Sequence, residues 1–165
     1  MKIILGLIVI AAALIWGWPA ITLSDKAAIA YLDELEALSM QGRPADYCER
    51  MHDDLAVAVE DGTSELAGTV RIDGGKQTWC EHIASVSKGV VQLGMQTHAT
   101  RHDFRLSRRW NEPWTARVSY DEERTSTIPR INVVLRTESS DRWILVNTLE
   151  GVRVLRLESR SHIAQ

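Results

Sequence analysis

An apolar run from Ile3 to Leu23, interrupted only by Gly6, Trp16, Gly17, Trp18, Pro19 and Thr22, constrains this chain more than any other feature. At a helical rise it is long enough to cross a hydrocarbon core, which takes about 20 residues. Two readings are open, a cleaved signal and a retained anchor. A signal needs small residues spaced as A-x-A at the cut. Ala11-Ala12-Ala13 has that spacing but leaves only Ile3 to Ile10 as an apolar segment, and Trp16, Trp18 and Pro19 suit a peptidase poorly. An indole sits well at the membrane–water interface, so the retained single span is favoured. Lys2 is the only charge before the run. It directs the tail to the cytoplasm and the following domain outward, which predicts a single-pass protein of a bacterial inner membrane with its domain in the periplasm or outside.

The remainder suffices for one domain with its own core. Apolar residues make up 45% and charged residues 25%, ordinary for a globular chain. The net charge of −3 argues against nucleic acid as a partner. Charge is unevenly spread: 13 acids and 7 bases lie up to residue 100, and 9 acids and 12 bases, all arginine, lie after it. Cys48 and Cys80 are the two cysteines. An exported domain favours a disulfide between them, two buried thiols being the alternative. Nothing in the sequence indicates a metal centre or a cofactor: there is no C-x-x-C, no Walker loop, no G-x-G-x-x-G and no serine nucleophile motif.

Ser24 is placed to cap a helix starting at Asp25, with Ala28, Tyr31, Leu32, Leu35 and Leu38 on its buried face and Gly42 as its stop. Pro44 opens a second helix whose stripe is Cys48, Met51, Leu55 and Val59. Thr69 to Ile72 reads as a short strand and Asp73-Gly74-Gly75 as a turn. A third helix then follows on Trp79, Ile83, Val86, Val90 and Leu93. Beyond Met95 the period becomes two. Strands are predicted over 96–109, 115–120, 131–137 and 143–149, with 152–157 continuing the last or adding another. Loops are expected at Asp121-Glu122-Glu123 and Ser139-Ser140-Asp141. The expected organisation is an anchor or signal at 1–24, a domain at 25–158 and a loose tail at 159–165. The expected class is α+β, with three N-terminal helices packed on a curved antiparallel sheet.

This order resembles the nuclear-transport-factor-2-like superfamily, the cone-shaped, cystatin-like fold of ketosteroid isomerases and polyketide-cyclase-like proteins. Tyr31-Leu32 with Leu35 is similar to its first-helix pattern, and His52-Asp53-Asp54-Leu55 to its helix-ending acidic segment. Gly74-Gly75-Lys76 resembles the glycine before its third helix, and Asp141-Arg142-Trp143-Ile144 the start of its last strand. The resemblance implies a pocket between sheet and helices. It implies either catalysis or a non-catalytic binding or assembly role, since the fold hosts both.

Ketosteroid isomerases use an aspartate base with a tyrosine–aspartic acid oxyanion hole. The resemblance carries those roles to Tyr31, Asp61 and Asn132, although two extra residues precede Asp61 and Gly62 stands where a proline usually follows. The strand alternation puts His98 and His102 on one side with Phe104, lining a pocket together with Tyr120. Two histidines four apart on a strand lie roughly 13 Å apart, too far for one metal. Arg101 and Arg105 fall on the opposite side, extended by Arg117 and Arg136, a face for a protein partner or a homodimer. Without a clean acid–base set, the sequence favours a membrane-anchored, non-catalytic domain recognising a small apolar ligand or a protein partner. Proton transfer on an apolar carbonyl compound is the alternative.

Overall fold

The computed structural model describes residue 17 and residues 23–62 and 69–164. The expected anchor therefore lies, apart from Gly17 and Leu23, outside the described residues. Among those described, no helix is long and apolar enough to cross a membrane.

Helix α1 runs Asp25–Met40. The Ser24 side chain accepts from the Ala27 amide at 3.3 Å, and Asp25 sits in the first turn, where an acid meets the positive end of the helix dipole. Its buried face is Ala28, Tyr31, Leu32, Leu35 and Leu38. Gly42, at φ +73°, turns the chain where a side chain would meet Val91 of a later helix. Helix α2, Pro44–Glu49, is short, and α3 spans Lys76–Leu93, ending at Gly94 with φ +61°. On α3, Ser87 is buried and Val86 exposed, the reverse of the apolar pattern. The Ser87 hydroxyl donates to the Ser39 carbonyl, so a polar contact joins α3 to the end of α1.

Strands β1 (Met51–Gly62), β2 (Val70–Gly74), β3 (Gln96–Arg109), β4 (Glu112–Ile128), β5 (Val133–Thr148) and β6 (Gly151–Ile163) form one sheet. Their order is β2-β1-β6-β5-β4-β3. The β1–β6 pair is parallel and the others antiparallel, so the sheet is mixed where a purely antiparallel one was expected.

The second predicted helix stops at Glu49, and its supposed stripe beyond Cys48 belongs to β1. Met51, Leu55 and Val59 are spaced by four, which keeps them on one face of a helix and equally of a strand. Val57, also buried, breaks the tie in favour of period two. The acidic loop at 121–123 and the serine turn at 139–141 are interior to β4 and β5. The reversal between those strands is the 3-10 turn Pro129–Ile131, closed by Asn132 in a left-handed conformation at φ +52°. The expected tail from Ser159 is strand through Ile163, paired to β1 and β5.

The strands are not uniform. On β3, His102 pairs with Asp121 and Arg105 with Ser119, three steps against two. The extra residue is a bulge at Asp103, whose φ is +51°. A second bulge lies on β6, where Ile144 and Leu145 of β5 face Arg156 and Val154. Bulges bend a sheet, and this one curves over α1 and α3. Leu23, Leu35, Met51, Val118, Leu145 and Val154 are almost wholly excluded from solvent in the core between them.

Cys48 of α2 and Cys80 of α3 are joined by a disulfide, their Cα atoms 5.8 Å apart. Closing a loop of 32 residues stabilises a fold by about 3–4 kcal/mol on the chain-entropy account. The double variant Cys48→Ala/Cys80→Ala is therefore expected to lose about that much in a urea titration, with an unchanged far-ultraviolet circular dichroism spectrum before the transition.

Candidate functional site

The concave face of the sheet and helices α1 and α3 enclose a cavity of about 310 Å³. Leu32, Leu35, Val59, Ile83 and Leu157 supply its apolar surface. Its polar wall comes from β3, β4 and β5.

Along β4 the inward parity runs Ala116, Val118, Tyr120, Glu122, so the same alternation that buries the core carries a phenol and a carboxylate inward. Glu122 is only 4% exposed. A buried carboxylate needs charged partners, and it has two. Arg124 binds Glu122 Oε1 through Nη2 at 2.6 Å and through Nε at 3.0 Å, while Arg101 Nε lies 3.1 Å from Oε2. Both arginines also reach α1: Arg101 Nη2 to Glu36 at 3.0 Å, Arg124 Nη2 to Glu36 at 3.3 Å, and Arg101 Nη1 to Asp33. The Arg101 guanidinium lies 5.4 Å from the centre of the Tyr120 ring, and Phe104 stacks on the ring's neighbourhood at 6.2 Å.

Asp141 of β5 lines the same cavity. Burial pushes its carboxyl above the ordinary carboxylate value, and the nearby Glu122 charge adds to this. Hydrogen bonds from Ser159 and Ser139, the latter at 2.9 Å, and the charge of Arg124 oppose it. Burial likewise raises the Tyr120 phenol far above its usual range and pushes Tyr47 up to about 12. The Tyr47 oxygen accepts from Trp79 Nε1 at 3.2 Å. At the other end, Ser161 donates to Asp61 at 3.0 Å, and His82 stacks on Trp79 at 5.3 Å. Burial lowers the His82 pKa, favouring the neutral ring.

The expected catalytic trio does not assemble. Asp61 lines the cavity, at its Ser161 end. Tyr31 is a buried residue of α1 whose hydroxyl donates to the Arg50 carbonyl at 3.0 Å, outside the cavity lining. Asn132 is exposed in the β4–β5 turn. Of the expected pocket residues, Tyr120 lines the cavity and Phe104 packs on it, whereas His98 and His102 are exposed on the far face. The cause is the Asp103 bulge. One extra residue inverts the alternation, so Arg101 faces inward before it and Phe104 faces inward after it. The same inversion divides the expected arginine surface: Arg105, Arg117 and Arg136 lie on the convex face, but Arg101 lies in the pocket. The sequence reading missed Glu36, Glu122, Arg124 and Asp141. The available signal was the unbroken parity of 116, 118, 120 and 122. Among the described residues no group of three or more His, Cys, Asp or Glu side chains is arranged to hold a metal ion.

No protein-family model and no curated protein matches the sequence. Solved structures do match over most of the chain. The β subunit of benzoate 1,2-dioxygenase from Burkholderia mallei has 7% identity and a TM-score of 0.64, covering 84% of this chain and 89% of that one. A nuclear-transport-factor-2-like protein with a cystatin-like fold from Novosphingobium aromaticivorans has 17% identity and a TM-score of 0.53, covering 82% and 88%. A ketosteroid isomerase-like protein from Erwinia carotovora atroseptica has 16% identity and a TM-score of 0.52, covering 86% and 95%. The fold is the cystatin-like cone. At such identities the likeness is one of fold, and a cone carries many functions.

The ion cluster yields a direct test. Replacing Arg101 with Met leaves Glu122 buried with one arginine instead of two. The expected cost is about 2–3 kcal/mol, below the full loss for an isolated buried charge because Arg124 remains in place. Adding Glu122→Met should then cost less than its effect in the wild-type background, measured as a double-mutant cycle by urea denaturation.

Proposed function

We propose that this chain is a non-catalytic binding domain, tethered to the outer side of a bacterial inner membrane, that holds a small and largely apolar ligand in the cone. The observation that carries the binding reading is the closed ion cluster. Arg101 and Arg124 are matched by Asp33, Glu36 and Glu122, so the strongest charges of the cavity are spent on each other. Beside Asp61, His82 and Asp141, what remains for a ligand is apolar surface with hydroxyl and indole edges, among them the buried Trp143 Nε1, which has no hydrogen-bond partner. An apolar body with one acceptor suits that lining. The apolar run at 3–23 and the Cys48–Cys80 disulfide support an oxidising, membrane-proximal location.

The test uses the full chain in mild detergent. An environment-sensitive apolar dye should bind saturably, and Ser161→Phe at the cavity lining should abolish binding while leaving the melting temperature within a few degrees. Dye binding unchanged by Ser161→Phe overturns the pocket assignment. The same chain should resist carbonate extraction from membranes; a soluble, shortened product overturns the tether.

One observation favours a second reading, proton transfer on an apolar carbonyl compound. Asp141 is a buried carboxyl held above its ordinary pKa beside the neutral Tyr120 phenol, a pairing that can move a proton and stabilise an oxyanion. Asp141→Asn separates the two readings. Under the binding reading it leaves dye affinity intact and raises stability. A carboxyl whose folded pKa exceeds its unfolded value contributes stability below the unfolded value and loses it as pH rises through the folded one. The variant should therefore melt higher than wild type at pH 7, with the gap closing as pH falls below the ordinary carboxylate range. Turnover of an apolar ketone that Asp141→Asn eliminates establishes the second reading instead.

A further inference from the structure

The convex face of the sheet, opposite the cone pocket, carries a regular pattern of arginines. Register places Ser107, Arg117, Ile144 and Arg156 in one row across β3, β4, β5 and β6. The adjacent row is Arg105, Ser119, Arg142 and Glu158. Arginines thus occupy alternate squares, each with another on the diagonal, and diagonal neighbours on a sheet lie about 7–8 Å apart, within reach of long side chains. They line a concavity of about 400 Å³ whose lining includes the half-buried Ile144.

The positive charge here is not fully matched. Arg156 Nε is 3.3 Å from Glu158, and Arg117 Nη2 is 2.8 Å from Glu112. Arg105 and Arg142 have no carboxylate within ion-pair distance among the described residues. Arg117 Nη1 is buried with no hydrogen-bond partner. An unmade bond of that kind is destabilising, and like charges on neighbouring squares repel. That repulsion is relieved by one doubly charged anion with several acceptor oxygens. We propose that this grid is a binding site for the phosphoryl group of a small phosphorylated solute, held by Arg105, Arg117 and Arg142.

A phosphoryl group fits better than a carboxylate because its oxygens can meet more than one guanidinium fork at once. The surroundings fix the size of the ligand. Glu112 and Glu158 flank the arginines on opposite sides, and Asp121, Glu123 and Glu138 are exposed along β4 and β5. An extended polyanion or a flat anionic membrane would meet all of those carboxylates, whereas a compact anion at the Arg105, Arg117 and Arg142 corner has only Glu158 of the lining beside it. A second copy related by a two-fold axis through the grid would set arginine against arginine. The site lies on the other side of the sheet from the cone cavity and stands independently of the function assigned there.

The experiment is calorimetric titration of the full chain in mild detergent with inorganic pyrophosphate and with glycerol phosphate. Saturable binding is expected, weakened at least tenfold by Arg142→Gln and by Arg105→Gln, both exposed positions whose replacement leaves the melting temperature unchanged. Arg136→Gln, on the same face but outside the grid, is expected to leave affinity intact. Three results overturn the proposal: no heat above that of equal ionic strength in chloride, an equal loss with Arg136→Gln, or capture by phosphatidylglycerol vesicles that the soluble phosphates fail to compete.

Discussion

Glu122 is the group around which the helices and the sheet agree on their positions. A carboxylate taken out of water in the middle of a strand is tolerated only where cations and hydrogen bonds replace its hydration. Here Arg124 from the same strand supplies a cation and two hydrogen bonds, Arg101 from β3 supplies a second cation, and both arginines are in turn held by Glu36 of α1, with Asp33 adding to Arg101. The cluster therefore ties α1 to the distant β3–β4 hairpin. It fixes how α1 lies across the sheet, and so the depth and lining of the cavity below. Apolar packing between the same elements is less directional, since hydrophobic contacts tolerate sliding that charge-assisted hydrogen bonds do not.

The Asp103 bulge makes that cluster possible. Without the extra residue, Arg101 and Phe104 could not both face inward on one strand, because positions three apart point to opposite sides. With it, β3 delivers a cation into the cavity and an aromatic ring behind its wall, where Phe104 stacks with Tyr120. The histidines are sent outward by the same step; His102 lies 3.9 Å from Glu123 on the exposed face. The convex arginine grid is a further consequence, since Arg105 sits just past the bulge and joins Arg117 and Arg142 because its parity was reset.

Much of the α-helical half was legible. The Ser24 cap and the α1 stripe were readable because capping and a 3.6 period act locally. The length of β3, 96–109, followed from alternation alone. The misreadings share one cause: local patterns with two valid partners. Met51, Leu55 and Val59 satisfy a helix and a strand alike. Asp121-Glu122-Glu123 reads as a loop unless the partners that bury Glu122 are known, and those come from positions 36 and 101. Ser139-Ser140-Asp141 reads as a turn until Ser139 and Asp141 are seen to face a cavity. The assignment of Tyr31 rested on a resemblance, and its hydroxyl is committed to the Arg50 carbonyl.

By itself the sequence determined the class of fold, the four-strand run that follows the last helix, the face that α1 buries and the apolar character of the first residues, because each follows from nearest-neighbour geometry and solvent affinity along the chain. Tertiary structure alone decided which titratable groups share the cavity, that β1 runs parallel to β6, and which arginines face outward together. Those outcomes turn on one inserted residue in β3 and on charge pairing between segments 65 to 88 residues apart, and no local pattern reports either.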